Sequence, residues 1–192
     1  MRRVATAVLI SGHGSNLQAL LDAAAAPDYP AEIQLVISNK KDAFGLQRAA
    51  KAGVRCVVLS HHDFPDRERF DRAMDTALRE AGIGLVVMAG FMRILSDWFV
   101  QQWQGRLINI HPSLLPAYKG LDTHQRVLDA GEKQHGATVH WVIAELDAGE
   151  MIVQQSLEIQ PGDTAATLAE RVHAIEHIIY PQAVRKVAEA MR

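Results

Sequence analysis

The chain contains a single cysteine, Cys56, among its 192 residues. One thiol cannot close an intramolecular disulfide, so a secreted scaffold stapled by disulfides is excluded and a reducing compartment is expected. Cys56 lies in the apolar run "CVVL", where a small buried hydrophobe is the expected role. Long apolar runs are also missing. The opening "MRRVATAVLISG" is interrupted by "HGSN" well short of the ~20 residues that span a bilayer, and it does not have the form of a secretory signal. A soluble, cytoplasmic protein without a membrane partner is expected. Blocks of like charge are absent too: 20 Lys and Arg against 22 Asp and Glu leave a net charge of −2 spread along the chain. That pattern argues against bulk nucleic-acid binding. No internal repeat, low-complexity tract or linker interrupts it.

What the chain does have is a hydrophobic fraction of 48%, enough for one sizeable core. In the first half, short apolar runs alternate with helix-period segments, the pattern of βαβ crossovers and a parallel sheet. The runs 4–11, 33–38, 55–59, 85–88 and 107–111 are the expected strands. Leu17, Leu20, Leu21 and Ala24 share one helix face, as do Phe70, Met74, Ala77 and Leu78 in a later helix. After residue 111 the rhythm changes. A Pro/Gly-rich passage "HPSLLPAYKG" leads to a short helix near 123–130, and "GATVHWVIAELDAGEMIVQQSLEI" alternates like a hairpin. The last segment, 164–180, keeps helical spacing through Leu168, Val172, Ile175 and Ile179, and Pro181 is expected to bend the helix or restart it beyond that point. The expected fold is a single α/β domain over residues 1–192. It is a Rossmann-like, mostly parallel twisted sheet with helices on both faces and some antiparallel strands in the C-terminal part. A phosphate-binding half is expected over about 1–105, and a catalytic and C-terminal part over about 106–192.

The first strand enters a helix through "ISGHGSNLQAL". Gly12 and Gly14, followed by Ser15 and Asn16, place free backbone N–H groups at a helix N-terminus, an anion site. Leu17 stands where a dinucleotide fingerprint needs its third glycine, and no Gly-Lys-Ser/Thr follows as in a P-loop. A monophosphate suits this loop better than a pyrophosphate. A tight turn serving backbone geometry alone is the competing reading.

A second stretch, "INIHPSLLP" at 108–116, ends a strand on polar side chains. Asn109 and His111 are two apart and share a face, while Ile108 and Ile110 point the other way. An amide and an imidazole at the carboxyl end of a strand lie where open α/β sheets bind ligands. A satisfied core histidine beside a turn asparagine is the competing reading. For a carboxylate partner, Asp147 in "AELDAGEM" sits at a turn between two apolar segments, and a carboxylate beside an imidazole favours the imidazolium. Two other patterns carry less. "HAIEH" at 173–177 matches an inverse zincin motif, but no third ligand is identifiable and no metal is expected. Ser113 near His111 has no G-x-S-x-G elbow.

Taken together, "SGHGSN", "FMRIL", "NIHPSLLP" and "ELDAG", in this order along essentially the whole chain, resemble the folate-dependent formyltransferase superfamily, in particular its branch acting on phosphoribosylglycinamide. The resemblance implies that Asn109, His111 and Asp147 are catalytic. It implies that Gly14, Ser15 and Asn16 bind the acceptor's phosphate and that Glu176 meets its ribose hydroxyls. It also implies that Arg67, Met92, Arg93, Ile94 and Leu95, with Asn109, contact the folate. The co-substrate implied is 10-formyltetrahydrofolate, with no metal required, and the partners implied are small molecules, for a monomer or homodimer. The sequence departs from relatives at four places. His13 stands for a common Asn, His173 for a frequent Gln, Asp122 for a His, and Ala148 for a Gly. His13 and His173 are expected beside the phosphate, and Ala148 is expected to trouble the folate-side loop, because alanine resists positive φ.

Overall fold

A computed structural model describes residues 2–192. Seven strands, β1 (Val4–Ile10), β2 (Ala31–Ser38), β3 (Arg55–Val58), β4 (Leu85–Met88), β5 (Leu107–His111), β6 (Gln134–Trp141) and β7 (Met151–Glu158), form one sheet in the order β3-β2-β1-β4-β5-β6-β7. The first five run parallel, whereas β6 is antiparallel to β5, and β7 to β6. This is the mostly parallel α/β sheet with an antiparallel C-terminal edge that the sequence predicts. From β1 the chain builds outward to β3, then crosses back to lay β4 on the other side of β1. The reversal leaves a crevice beyond the carboxyl ends of β1 and β4, the usual ligand position in such sheets.

Helices cover both faces because the parallel strands are apolar on both sides. On one face α1 (Ser15–Ala24), α2 (Gly45–Lys51) and α6 (Ala165–Ala190) pack over Val8, Ile10, Val36, Ile108 and Ile110. On the other, α3 (Arg67–Glu80) and α4 (Asp97–Gln102) bring Phe70, Met74, Leu78, Phe99 and Trp103 against Ala7, Leu9, Leu35 and Ile37. A short α5 (Thr123–Asp129) follows the exit from β5. Each fully buried Leu or Phe contributes about 1.5–3 kcal/mol, so packing rather than propensity holds helices as short as α2 and α4.

Two details differ from expectation. Helix α6 does not restart at Pro181 but runs unbroken to Ala190. Proline inside a helix costs about 3 kcal/mol, yet Ala183, Val184, Val187 and Ala188 beyond it are all buried, continuing the stripe of Leu168, Val172, Ile175 and Ile179. Burial of two valines alone offsets that cost at about 1.5–3 kcal/mol each. Cys56 is half-buried at the edge of the core rather than enclosed in it.

Tyr180, fully buried on α6, passes its phenol between two strands. Its hydroxyl donates to the Met88 carbonyl at 2.6 Å, with the Ile108 carbonyl at 3.3 Å. Met88 and Asn109 form the last paired position of β4 and β5, so the phenol sits where these strands part.

Candidate active site

The loop after β1 is shaped by two glycines back to back. Gly14 has φ 77° and ψ 29°, in the left-handed region, and a Cβ on it would stand 2.6 Å from Gly45 Cα. The Gly45 N–H donates to the Gly12 carbonyl at 3.0 Å, which fixes this contact. No side chain caps the first turn of α1, so its N–H groups are available to an anion, with the helix dipole behind them. Arg48 supplies a cation to the loop: Nε donates to the His13 carbonyl at 3.0 Å and Nη2 lies 2.8 Å from His13 Nε2. The His13 ring, stacked on Phe44 at 5.3 Å, thus serves as an acceptor for Arg48.

Asn16 faces across to α6, where its Nδ2 donates to Glu176 Oε2 at 3.4 Å. Glu176 is buried, and burial pushes its carboxyl from the ordinary 4.5 up to about 7, with the Asn16 hydrogen bond offsetting part of the rise. His173 Nε2 lies 3.9 Å from Glu176 Oε2, so this histidine accompanies the carboxylate expected at the ribose. In "HAIEH" the His173 side chain is exposed, and burial lowers the pKa of His177. Among the described residues, no group of three or more His, Cys, Asp or Glu side chains converges as a metal site.

Asn109 and His111 project from β5 to the face opposite Ile108 and Ile110, as strand alternation dictates. His111 is buried. Its Nε2 lies 2.8 Å from the Tyr118 carbonyl and its Nδ1 lies 3.4 Å from Asp147 Oδ2. A carbonyl only accepts, so Nε2 carries a proton. The Asp147 carboxylate faces Nδ1, so each ring nitrogen has an acceptor in front of it. The turn between β6 and β7 therefore delivers Asp147 to His111, and the Gly120 N–H donates to Asp147 Oδ2 at 3.0 Å. The exit loop is pinned by more than its prolines. The Thr138 hydroxyl donates to the Ser113 carbonyl at 2.7 Å and accepts from the Leu115 N–H at 3.1 Å, while the Leu115–Pro116 bond is cis. Ser113 donates to the Ala117 carbonyl at 2.7 Å and is enclosed, a structural hydroxyl.

The backbone strain expected at Ala148 falls one residue earlier. Asp147 itself has φ 50°, as Asp122 and Tyr118 have φ 56°, whereas Ala148 stays out of that region. Aspartate tolerates the left-handed region better than alanine because its short polar side chain can bond locally. The carboxylate thus takes up the turn.

On the α3/α4 side, the segment after β4 is tethered at both ends. The Met92 N–H donates to Ser11 Oγ at 2.8 Å, and the Ser96 N–H donates to buried Asp71 at 2.6 Å. Between these anchors Met92 and Ile94 are 65% and 61% exposed, an unusual state for large apolar groups, while Leu95 turns inward. A cleft of about 700 Å³ is lined by Arg67, Ile94, Leu95, Ser96, Trp98 and Ala144, among others. Of the residues expected at the folate, Arg67, Ile94 and Leu95 share this cleft, and Met92 and Arg93 lie outside its lining.

With that geometry in place, comparison with known proteins is decisive. Residues 4–184 match the Formyl transferase family model. The chain belongs to the formyl transferase family. It is 46% identical over 182 residues to phosphoribosylglycinamide formyltransferase from Escherichia coli, covering 95% of this chain and 86% of that protein. It is 48% identical over 187 residues to the human trifunctional purine biosynthetic protein adenosine-3, but spans only 18% of that protein's length. A solved phosphoribosylglycinamide formyltransferase from Coxiella burnetii superposes with a TM-score of 0.94 at 47% identity, covering 98% of this chain and 89% of that one. Within the family frame, three contributors escape a reading of sequence alone: Arg48, Asp71 and His140. The first two lie on helices whose docking is tertiary, and His140 reaches the site only through the pairing register, Asn109 opposite His140. Alternation in "GATVHWV" predicts the face of His140 within its own strand and nothing more.

Proposed function

We propose that this protein transfers the formyl group of 10-formyltetrahydrofolate to the amine of N1-(5-phospho-D-ribosyl)glycinamide. The products are N2-formyl-N1-(5-phospho-D-ribosyl)glycinamide and tetrahydrofolate, in purine biosynthesis. The observation that carries this reading is the placement of Asn109 and His111 on one face of β5 with Asp147 against His111. An anion loop opens from α1, and a cleft of mixed charged and apolar side chains opens from α3. The names of the full-length bacterial relatives support the same substrates.

In this reading Gly14, Ser15 and Asn16 hold the phosphate and Glu176 accepts from the ribose hydroxyls. The amine nitrogen attacks the formyl carbon, and the carbonyl π pair moves to oxygen, where the Asn109 amide N–H donates to the oxyanion and the positive charge of the His111 imidazolium, whose ring nitrogens face Tyr118 and Asp147, stabilises it through space. The oxyanion then collapses, the bond to folate N10 breaks, and N10 keeps the electron pair. The proton that the amine gives up reaches N10, with Asp147 supporting His111 and that transfer. The folate lies against Arg67 and the 92–95 segment, where apolar side chains and main-chain N–H groups suit a flat ring with a donor/acceptor edge.

The test is spectroscopic detection of tetrahydrofolate with and without the ribonucleotide, on wild-type protein and His111→Ala. Turnover requiring the ribonucleotide and abolished in the variant is expected. Tetrahydrofolate release without the ribonucleotide would assign hydrolysis instead.

A further inference from the structure

His140 is 2% exposed and carries a ring nitrogen that the fold leaves unused. Its Nδ1 lies 2.9 Å from the Trp141 carbonyl, so Nδ1 holds the proton and Nε2 presents a lone pair. No hydrogen-bond partner reaches Nε2, which points instead toward Asp147 Oδ1 at 3.7 Å. Burial lowers the pKa of this imidazole, outweighing the Asp147 carboxylate and the Trp141 carbonyl that favour its charged form; the nearby His111 also lowers it. Two acceptors thus face one another inside the site, an arrangement that repels unless a donor group completes it. The backbone shows how they come to face each other. A register shift in the β6·β7 ladder falls between Val139 and His140, and Gly149 packs so closely on the Trp141 backbone that no side chain fits there. The extra residue of that shift, Ile152, lies on β7, so the regular β5·β6 pairing that sets His140 on the face of its cross-strand neighbour Asn109 is undisturbed.

We propose that His140 Nε2 and Asp147 Oδ1 form a two-acceptor cradle for the attacking primary amine of the formyl acceptor, one N–H to each. A nitrogen placed 2.9 Å from both acceptors would see them roughly 80° apart, close enough for the two hydrogens of a single amino group. Held this way, the amine directs its lone pair away from the cradle, toward the formyl carbon beside Asn109. His140 is then a catalytic residue in direct contact with substrate, in addition to Asn109, His111 and Asp147. This inference rests on the function proposed above.

Calorimetric titration tests it with two probes: the glycinamide ribonucleotide, and an acetamide ribonucleotide that lacks only the amine. Replacing His140 by Leu weakens binding of the amine-bearing ligand about five- to tenfold, the worth of one hydrogen bond, and leaves the acetamide ligand unchanged. His140→Gln, which keeps a carbonyl acceptor, recovers part of the loss and serves if the leucine variant folds poorly. Equal weakening of both ligands in the variants, with wild-type formyl transfer intact, overturns the cradle alone and assigns His140 a packing role. Failure of the wild-type protein to bind either ribonucleotide overturns both the cradle and the function on which it rests.

Discussion

The α1/α6 side of the crevice is built from backbone N–H groups, a buried carboxylate and a fixed guanidinium, all held by close packing. The α3/α4 side offers exposed apolar side chains on a segment tethered at its ends by Ser11 and Asp71 and anchored between them by buried Leu95. Polar recognition needs groups whose desolvation cost is met before the ligand arrives, which demands rigidity. Apolar recognition draws on the area removed from water and tolerates mobile side chains. Asn109 and His111 stand between these two surfaces, on the strand both faces share, and Asp147 meets His111 from the turn between β6 and β7.

The largest effect belongs to the carboxylate that faces that shared strand. Asp147→Ala removes the carboxylate facing both His111 and His140, and formyl transfer measured by steady-state kinetics should fall by about 10³-fold, with the folate KM within a few-fold of wild type and the ribonucleotide KM raised about five- to tenfold.

Next comes Glu176→Gln, which should divide stability from binding. The folded carboxyl sits at about 7 against an ordinary 4.5, so the unfolded state ionises first. The cost of the buried acid therefore grows as pH rises from 4.5 to 7 and is complete above that window, reaching about 3 kcal/mol. Thermal unfolding of ligand-free protein should show the glutamine variant more stable at pH 8, with a gain that shrinks toward pH 5. A gain of equal size at both pH values would show that ionisation of Glu176 is not its source. Ribonucleotide affinity should drop in the same variant, while folate affinity stays.

Gly14→Ala ranks third. A methyl group against Gly45 at positive φ should cost about 1–3 kcal/mol and weaken ribonucleotide binding selectively. The smallest effect is on the other face. Ile94→Ser should raise the folate KM about tenfold, with little change in ribonucleotide KM or melting temperature, because this side chain is exposed in the free protein. If Gly14→Ala and Ile94→Ser each moved both KM values equally, the two faces would not be separate recognition surfaces.

The contrast also explains what the sequence makes legible. All five parallel strands stand out as apolar runs between helix-period segments, and strand alternation places Asn109 and His111 on one face from spacing alone. Helices α2 and α4, seven and six residues long, are too short to show a period, so no pattern marks them in the sequence. Pro181 signals an interruption that burial on either side of it overrides. Asp147 emerges from its turn composition and from family resemblance, but its positive φ does not, since a neighbouring alanine draws suspicion that belongs to the aspartate. The orphan nitrogen of His140 has no sequence signature at all, because it depends on the tertiary pairing that sets His140 opposite Asn109 and on the turn that brings Asp147 to it.

Tyr180 gives these separate surfaces a mechanical link. Its single hydroxyl oxygen bonds the carbonyl of Met88 and lies within reach of that of Ile108, the residue before Asn109. The same helix carries Glu176 one turn earlier. One helix thus carries the buried carboxylate of Glu176 and the hydroxyl that ties β4 to the residue before Asn109, so the α1/α6 face and the strand bearing Asn109 are parts of one packed unit.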